Sequence, residues 1–163
     1  MTFFIHCSDD TTDSTSPDLR HTARLTTHTC AGPLLVNWDT HQFIEIATAG
    51  ADKSVTVFRS EDDGAVMHWD DSEQLKIELN TPSTIIVSLH ETDGVHIAYH
   101  VPRRLMTLEG LEYSERQAEE LYKAGKISKS DYEIERDGYQ SFRRFKEDFI
   151  SWASENAIID EYR

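Results

Sequence analysis

Two histidines, His90 and His96, flank the turn signal Asp93-Gly94, and imidazoles brought together across such a turn can share a metal ion. Whether they meet depends on register. Ile85, Val87 and Leu89 alternate with polar positions before the turn, and Val95, Ile97, Tyr99 and Val101 do so after it. A two-residue turn pairs Leu89 with Ala98 and mixes the faces. A three-residue loop, Thr92-Asp93-Gly94, pairs Leu89 with Ile97, Val87 with Tyr99 and Ile85 with Val101, keeping one face apolar. That register is the expected one. It sets His90 across from His96 with Cβ atoms roughly 5 Å apart. A zinc site would need further ligands, which a neighbouring strand could offer as His68, His41 or Asp70. His100 lies about 13 Å along the strand, too far to join. A metal-dependent hydrolase built on His90 and His96 is therefore one reading. A solvent-facing histidine pair on a half-exposed sheet asks for less irregular geometry and is preferred, so neither metal nor cofactor is expected.

His6-Cys7 and His28-x-Cys30 offer a second set of ligand types. Adjacent strand residues point to opposite faces, so His6 and Cys7 cannot both ligate from one regular strand. Two cysteines do not make a disulfide framework and are expected as free thiols. The acidic runs carry different chemistry. Glu61-Asp62-Asp63 and Asp70-Asp71-Ser72-Glu73 place six carboxylates within thirteen residues without a Lys or Arg among them. They flank the segment Ala65–Trp69, so a straight strand would hold them at its two ends. Their plain reading is turn chemistry and solubility; their functional reading is docking on a basic partner. Trp69 and Trp38, each ending a strand beside an acidic turn, are candidate anchors of such an interface or plugs for the end of a sheet.

These residues need elements to hold them. Leu34–Trp38, Phe43–Thr48, Ser54–Arg59, Ala65–Trp69, Leu75–Leu79, Thr84–His90 and Val95–Val101 are short, β-branched or aromatic, and separated by Asp-, Gly-, Asn- and Pro-containing turns. They predict an antiparallel β-meander of about seven strands over residues 33–102. Before it, a short strand at Thr2–Cys7 leads into a Thr-, Ser- and Asp-rich stretch within residues 1–32, read as a surface loop ending in a strand near Ala23–Cys30. After it, residues 107–156 predict a helical hairpin packed on the sheet. Ser114 to Gln117 reads as a capping box, Gly125 as a helix stop, and Ser128 to Asp131 as a restart with Ile127 placed to staple against Tyr132. Tyr139, Phe142, Phe145, Phe149, Trp152 and Ala153 then recur at helical spacing, with Gly138 a weak point. The string LYKAGKISKSDYEIERDGY resembles the two-helix hairpin of short oligomerisation modules. Helix capping accounts for its pattern.

The fold class is thus α+β in one domain of 163 residues. The net charge of −14 repels nucleic acid and anionic membranes and attracts basic partners. The start MTFFIHCSDD lacks a basic n-region and no stretch reaches the length of a membrane span, so a cytoplasmic, reducing location is expected. Gly-rich phosphate loops, nucleophile elbows, His-Glu-x-x-His and Cys-x-x-Cys are all missing from the sequence. In size, acidity and poverty of motifs the chain is similar to immunity proteins that protect bacteria from nuclease-type toxins of contact-dependent or secreted systems. The expected function is non-enzymatic: binding and neutralising a basic protein, with Asp62, Asp63, Asp70, Asp71, Glu73, Trp69 and Trp38 at the contact. A secretion chaperone or adaptor shares the size and acidity and is the alternative beside the hydrolase.

Overall fold

The computed structural model describes residues 5–31 and 38–161, with Trp38 by its backbone alone. In chain order the strands are β1 (His6–Thr15), β2 (His21–Ala31), β3 (Trp38–Thr48), β4 (Ser54–Ser60) and β5 (Ala65–Asp71). Then come β6 (Gln74–Leu79), β7 (Ile85–Ser88), β8 (Glu91–Thr92) and β9 (Val95–Pro102). Two helices, α1 (Glu109–Lys123) and α2 (Lys129–Asn156), precede a final strand β10 (Ala157–Asp160). The class is α+β, and the strands divide between two sheets. One has the order β1-β2-β3-β4-β7 and is antiparallel throughout; the other runs β10-β9-β6-β5, with β8 paired to β9.

The segment expected as a polar loop forms a long hairpin. β1 and β2 pair continuously from His6↔Ala31 to Thr15↔Thr22. Helical or alternating apolar periods are missing there because the buried positions of β2 are His21, Ala23 and Thr26, and Leu25 is its one large aliphatic packed against the core. Threonine suits a pleated surface, and strand pairing on both sides of β2 supplies what burial does not. Leu34 to Asn37, the start of the first expected meander strand, lies outside the described residues.

The 84–101 hairpin needs correction. Its turn is the two-residue one: Asp93 and Gly94 take φ of 49° and 79°, as a type I′ turn requires, and Glu91 faces His96 while Thr92 faces Val95. Leu89 does not pair with Ile97. Instead β7 leaves for the other sheet, where Ser88 pairs with Phe58 and the Leu89 N–H donates to the Val57 carbonyl (2.8 Å). The demand for one apolar face assumed a single sheet; by changing sheet near Leu89, the chain lets β7 and β9 line one core from different sides. β9 consequently pairs with β6 in parallel, Leu75 beside Ile97 and Ile77 beside Tyr99.

Both sheets share that core. Ile44, Ile46, Val57 and Phe58 come from the first, and Leu75, Ile77, Leu79, Val95, Ile97, Tyr99 and Val101 from the second. Buried Gln42 stitches them: its Oε1 accepts from the Ala65 N–H (2.8 Å) and its Nε2 donates to the Ala65 carbonyl (3.4 Å). Gly64 stands beside this seam, and a Cβ there would lie 2.0 Å from Thr81 Oγ1 and 3.0 Å from the Thr81 backbone nitrogen. Gly64→Ala should therefore cost about 1–3 kcal/mol in denaturant titration. Gly110→Ala, whose new methyl meets nothing within 4 Å, serves as the control and should be neutral or slightly stabilising.

The helices form the crossover between the parallel neighbours β9 and β10. α1 starts at Glu109, not at Ser114, whose hydroxyl donates back to the Gly110 carbonyl (3.1 Å) inside the helix. The restart stands as expected: the Asp131 N–H donates to Ser128 Oγ (3.1 Å), Gly125 is left-handed at φ 69°, and α2 continues through Gly138. Only its end seats on the sheets, through buried Phe149 and Ala153; residues 119–144 hold no buried side chain. No helix among the described residues is long and apolar enough to cross a membrane.

Candidate functional site

The acidic residues singled out in the sequence sit at the two ends of β5. Asp62 and Asp63 occupy the turn entering it, and Asp70, Asp71 and Glu73 close the hairpin to β6. Seven residues of strand separate the groups by roughly 20 Å. Between them the outward positions of β5 are Val66, His68 and Asp70, so one solvent-facing row joins both ends. On it His68 Nε2 meets Asp70 Oδ1 at 3.2 Å. Next to it, on β6, Lys76 pairs with Glu78 (2.9 Å). The turn carboxylates shape their own loops, Asp62 accepting from the Asp63 N–H (2.7 Å) and Asp71 from the Glu73 N–H (2.8 Å). Burial raises the Asp62 carboxyl above the usual carboxylate range.

Trp69 does not belong to this row. It faces inward, packs against the core, and donates its indole N–H to the Ser14 carbonyl (3.0 Å), with the His21 ring stacked 6.2 Å away. It plugs the end of the sheet and ties β1 to β5. The side chain of Trp38, the other proposed anchor, lies outside the described residues.

His90 and His96 do not converge. Glu91, not His90, is opposite His96, and alternation sends the two histidines to opposite faces. His90 Nε2 bonds Asn156 Oδ1 (3.1 Å) and its ring abuts Tyr99 edge-on; His96 stands exposed, 3.9 Å from Glu91. His100 pairs with Asp160 of β10 at 3.1 Å. The geometry on which a hydrolase would rest is therefore not formed by this pair.

Sequence reasoning missed a third cluster. Cys7 and Cys30 are directly opposed on β1 and β2, Cα atoms 4.1 Å apart, and form a disulfide, which corrects the expectation of free thiols. Two positions along, Asp9 opposes His28. The Asp9 carboxylate contacts His28 Nδ1, and His28 Nε2 lies 3.2 Å from Cys30 Sγ. On β3, Asp39 and His41 continue the same two rows and pair with each other at 2.9 Å. His6, as expected from alternation, is not part of the cluster. Spacing alone could not find the grouping, because the β1–β2 register that creates it runs through the stretch read as loop.

The helical pair adds a surface of another kind. Tyr113, Leu121, Tyr122, Ile134 and Phe142 are exposed, and a groove of about 400 Å³ between α1 and α2 is lined by Glu115, Tyr132, Arg136, Tyr139 and Arg143. Arg143 bonds Glu115 through two nitrogens (2.6 and 3.3 Å), and Tyr122 stacks on Tyr132 with ring centres 4.7 Å apart. No family model, curated protein or solved structure matches the chain.

Proposed function

We propose that this chain is a binding protein that neutralises a basic protein partner, in the manner of an immunity protein to a nuclease-type toxin. The observation that carries the reading is the net charge of −14, to which the carboxylates at both ends of β5 contribute. The contact surface is the outward row of β5 with the carboxylates at its ends, Asp62, Asp63, Asp70, Asp71 and Glu73. A row of roughly 20 Å fits within the ~800 Å² that one partner contributes to an ordinary interface. Trp69 supports that surface from behind rather than touching the partner. Such a role belongs in the cytoplasm of a bacterium, where reducing conditions would open the Cys7–Cys30 disulfide.

Replacing Asp62, Asp63, Asp70 and Asp71 together by Asn should leave the fold intact and slow association, with the salt dependence of the association rate flattened. The partner to test is the product of the neighbouring gene, co-expressed with the chain. A growth defect relieved by the wild type and poorly by the Asn variant is the expected result. A harmless product that is not retained in a pull-down would overturn the reading.

A secretion adaptor is the runner-up, favoured by the exposed Leu121, Tyr122, Ile134 and Phe142 of the helical pair. Light scattering separates the two, since an adaptor of this kind would be a dimer.

A further inference from the structure

The disulfide on β1 and β2 has a neighbour that a structural crosslink does not need. His28 shares its sheet face, turns Nε2 toward the sulfurs, and has its Nδ1 held by a carboxylate, Asp9. That backing is how proteins orient a metal-binding imidazole and fix its tautomer. The ligand atoms of Cys7, His28 and Cys30 all lie within 4.8 Å of one another. Zinc–sulfur bonds near 2.3 Å and zinc–nitrogen bonds near 2.0–2.1 Å place tetrahedral ligands about 3.5–3.8 Å apart. The 3.2 Å between His28 Nε2 and Cys30 Sγ is already close to that spacing, so separation of the two sulfurs is the main adjustment.

We propose that Cys7, Cys30 and His28 form a site for a divalent metal of the zinc class, closed while the disulfide stands and opened by a thiol reductant. Two reductant thiols become one external disulfide, the Cys7–Cys30 bond breaks, and each protein sulfur takes up a proton. Metal entry expels both protons and forms two thiolate bonds and one bond to neutral His28, with no change in the metal's oxidation state. Water fills the fourth position. Two thiolates and an imidazole favour zinc over magnesium or calcium, which seek oxygen. The site lies at the edge of the sheet, with Cys7 exposed on β1 and His28 partly exposed on the adjoining β2, within reach of both reductant and ion. Metal occupancy would replace the covalent clamp on β1 with a coordinate one.

Cobalt(II) alone is the probe. The full chain, reduced with a phosphine and desalted without oxygen, should bind one equivalent with thiolate-to-cobalt charge-transfer absorption that zinc abolishes. The oxidised chain should give no such signal. One equivalent of zinc should raise the melting temperature of the reduced chain and leave that of the oxidised chain unchanged. Cys7→Ser/Cys30→Ser should remove the signal. Asp9→Asn, acting through His28, should weaken affinity about 10- to 100-fold. His28→Ala keeps the disulfide, so its fold can be verified by circular dichroism before reduction; it should bind at least tenfold more weakly. No charge-transfer band in the reduced wild type, or affinity unchanged in His28→Ala, would overturn the assignment.

Discussion

Tyr99→Ala should lower the free energy of unfolding by about 3–5 kcal/mol, and Tyr99→Phe by about 1–3 kcal/mol. Tyr99 is 1% exposed and stands where the sheets and α2 meet. Its ring packs on Phe58 (5.9 Å), His90 (5.3 Å) and Trp152 (5.5 Å). Its hydroxyl donates to the Leu89 carbonyl (2.7 Å) and reaches the Val57 carbonyl (3.1 Å), at the point where the chain passes from one sheet to the other. Alanine empties this junction. Phenylalanine keeps the ring but takes the hydroxyl donor from the Leu89 carbonyl, while the Val57 carbonyl still accepts from the Leu89 N–H. Burial also raises the phenol well above its ordinary value. The native state then keeps a proton that the unfolded chain releases from about pH 10 upward, so stability is full below that point and falls as pH rises through it. Urea titrations at about pH 8 and about pH 10.5 should show the wild type losing more stability than Tyr99→Phe. Equal losses in the two proteins would mean that Tyr99 does not titrate from a buried position.

Phe149→Ala should cost about 3–5 kcal/mol, whereas Phe142→Ala, two stripe positions earlier on the same helix, should stay within about 0.5 kcal/mol. The contrast follows from burial: Phe149 is 2% exposed and Phe142 48%. Phe149 packs against Trp152, whose indole N–H donates to Ser88 Oγ (3.1 Å) on β7. Phe149 and Ala153 are the buried residues of α2, so its attachment is concentrated in little more than one turn. Trp152 fluorescence during denaturant titration reads that seat directly. Similar costs for the two substitutions would show that the whole stripe packs, as its regular spacing suggests.

That stripe illustrates how far the sequence could be followed. Period identifies an element and its apolar side, and it did so for β6, where Leu75, Ile77 and Leu79 are buried between half-buried neighbours. Capping chemistry is equally local, and Ser128 and Gly125 act as their types dictate. Period does not say how much of a helix meets a partner, hence Phe142 in solvent. Nor does it reveal pairings made over long separations: the parallel neighbours β6 and β9, the return of β10 to β9, and the change of sheet at Leu89 all depend on what lies across the core. For the candidate sites the division is similar. The carboxylates fall at opposite ends of β5 as strand geometry required. The inward aim of Trp69 and the meeting of Cys7, Cys30 and His28 needed the β1–β2 hairpin, whose Thr-, Ser- and Asp-rich composition looks like loop.

The two-helix crossover works as a ruler. Its base is fixed by β9 and β10, its seat by Phe149 and Ala153, and its outer reach by length alone, about 42 Å along α2. Adding two helical turns to each arm would carry the Gly125 bend about 11 Å further out without touching a residue of the core. The distance between the sheets and anything held at that tip can therefore be reset in whole turns, independently of how firmly the rest of the protein is folded.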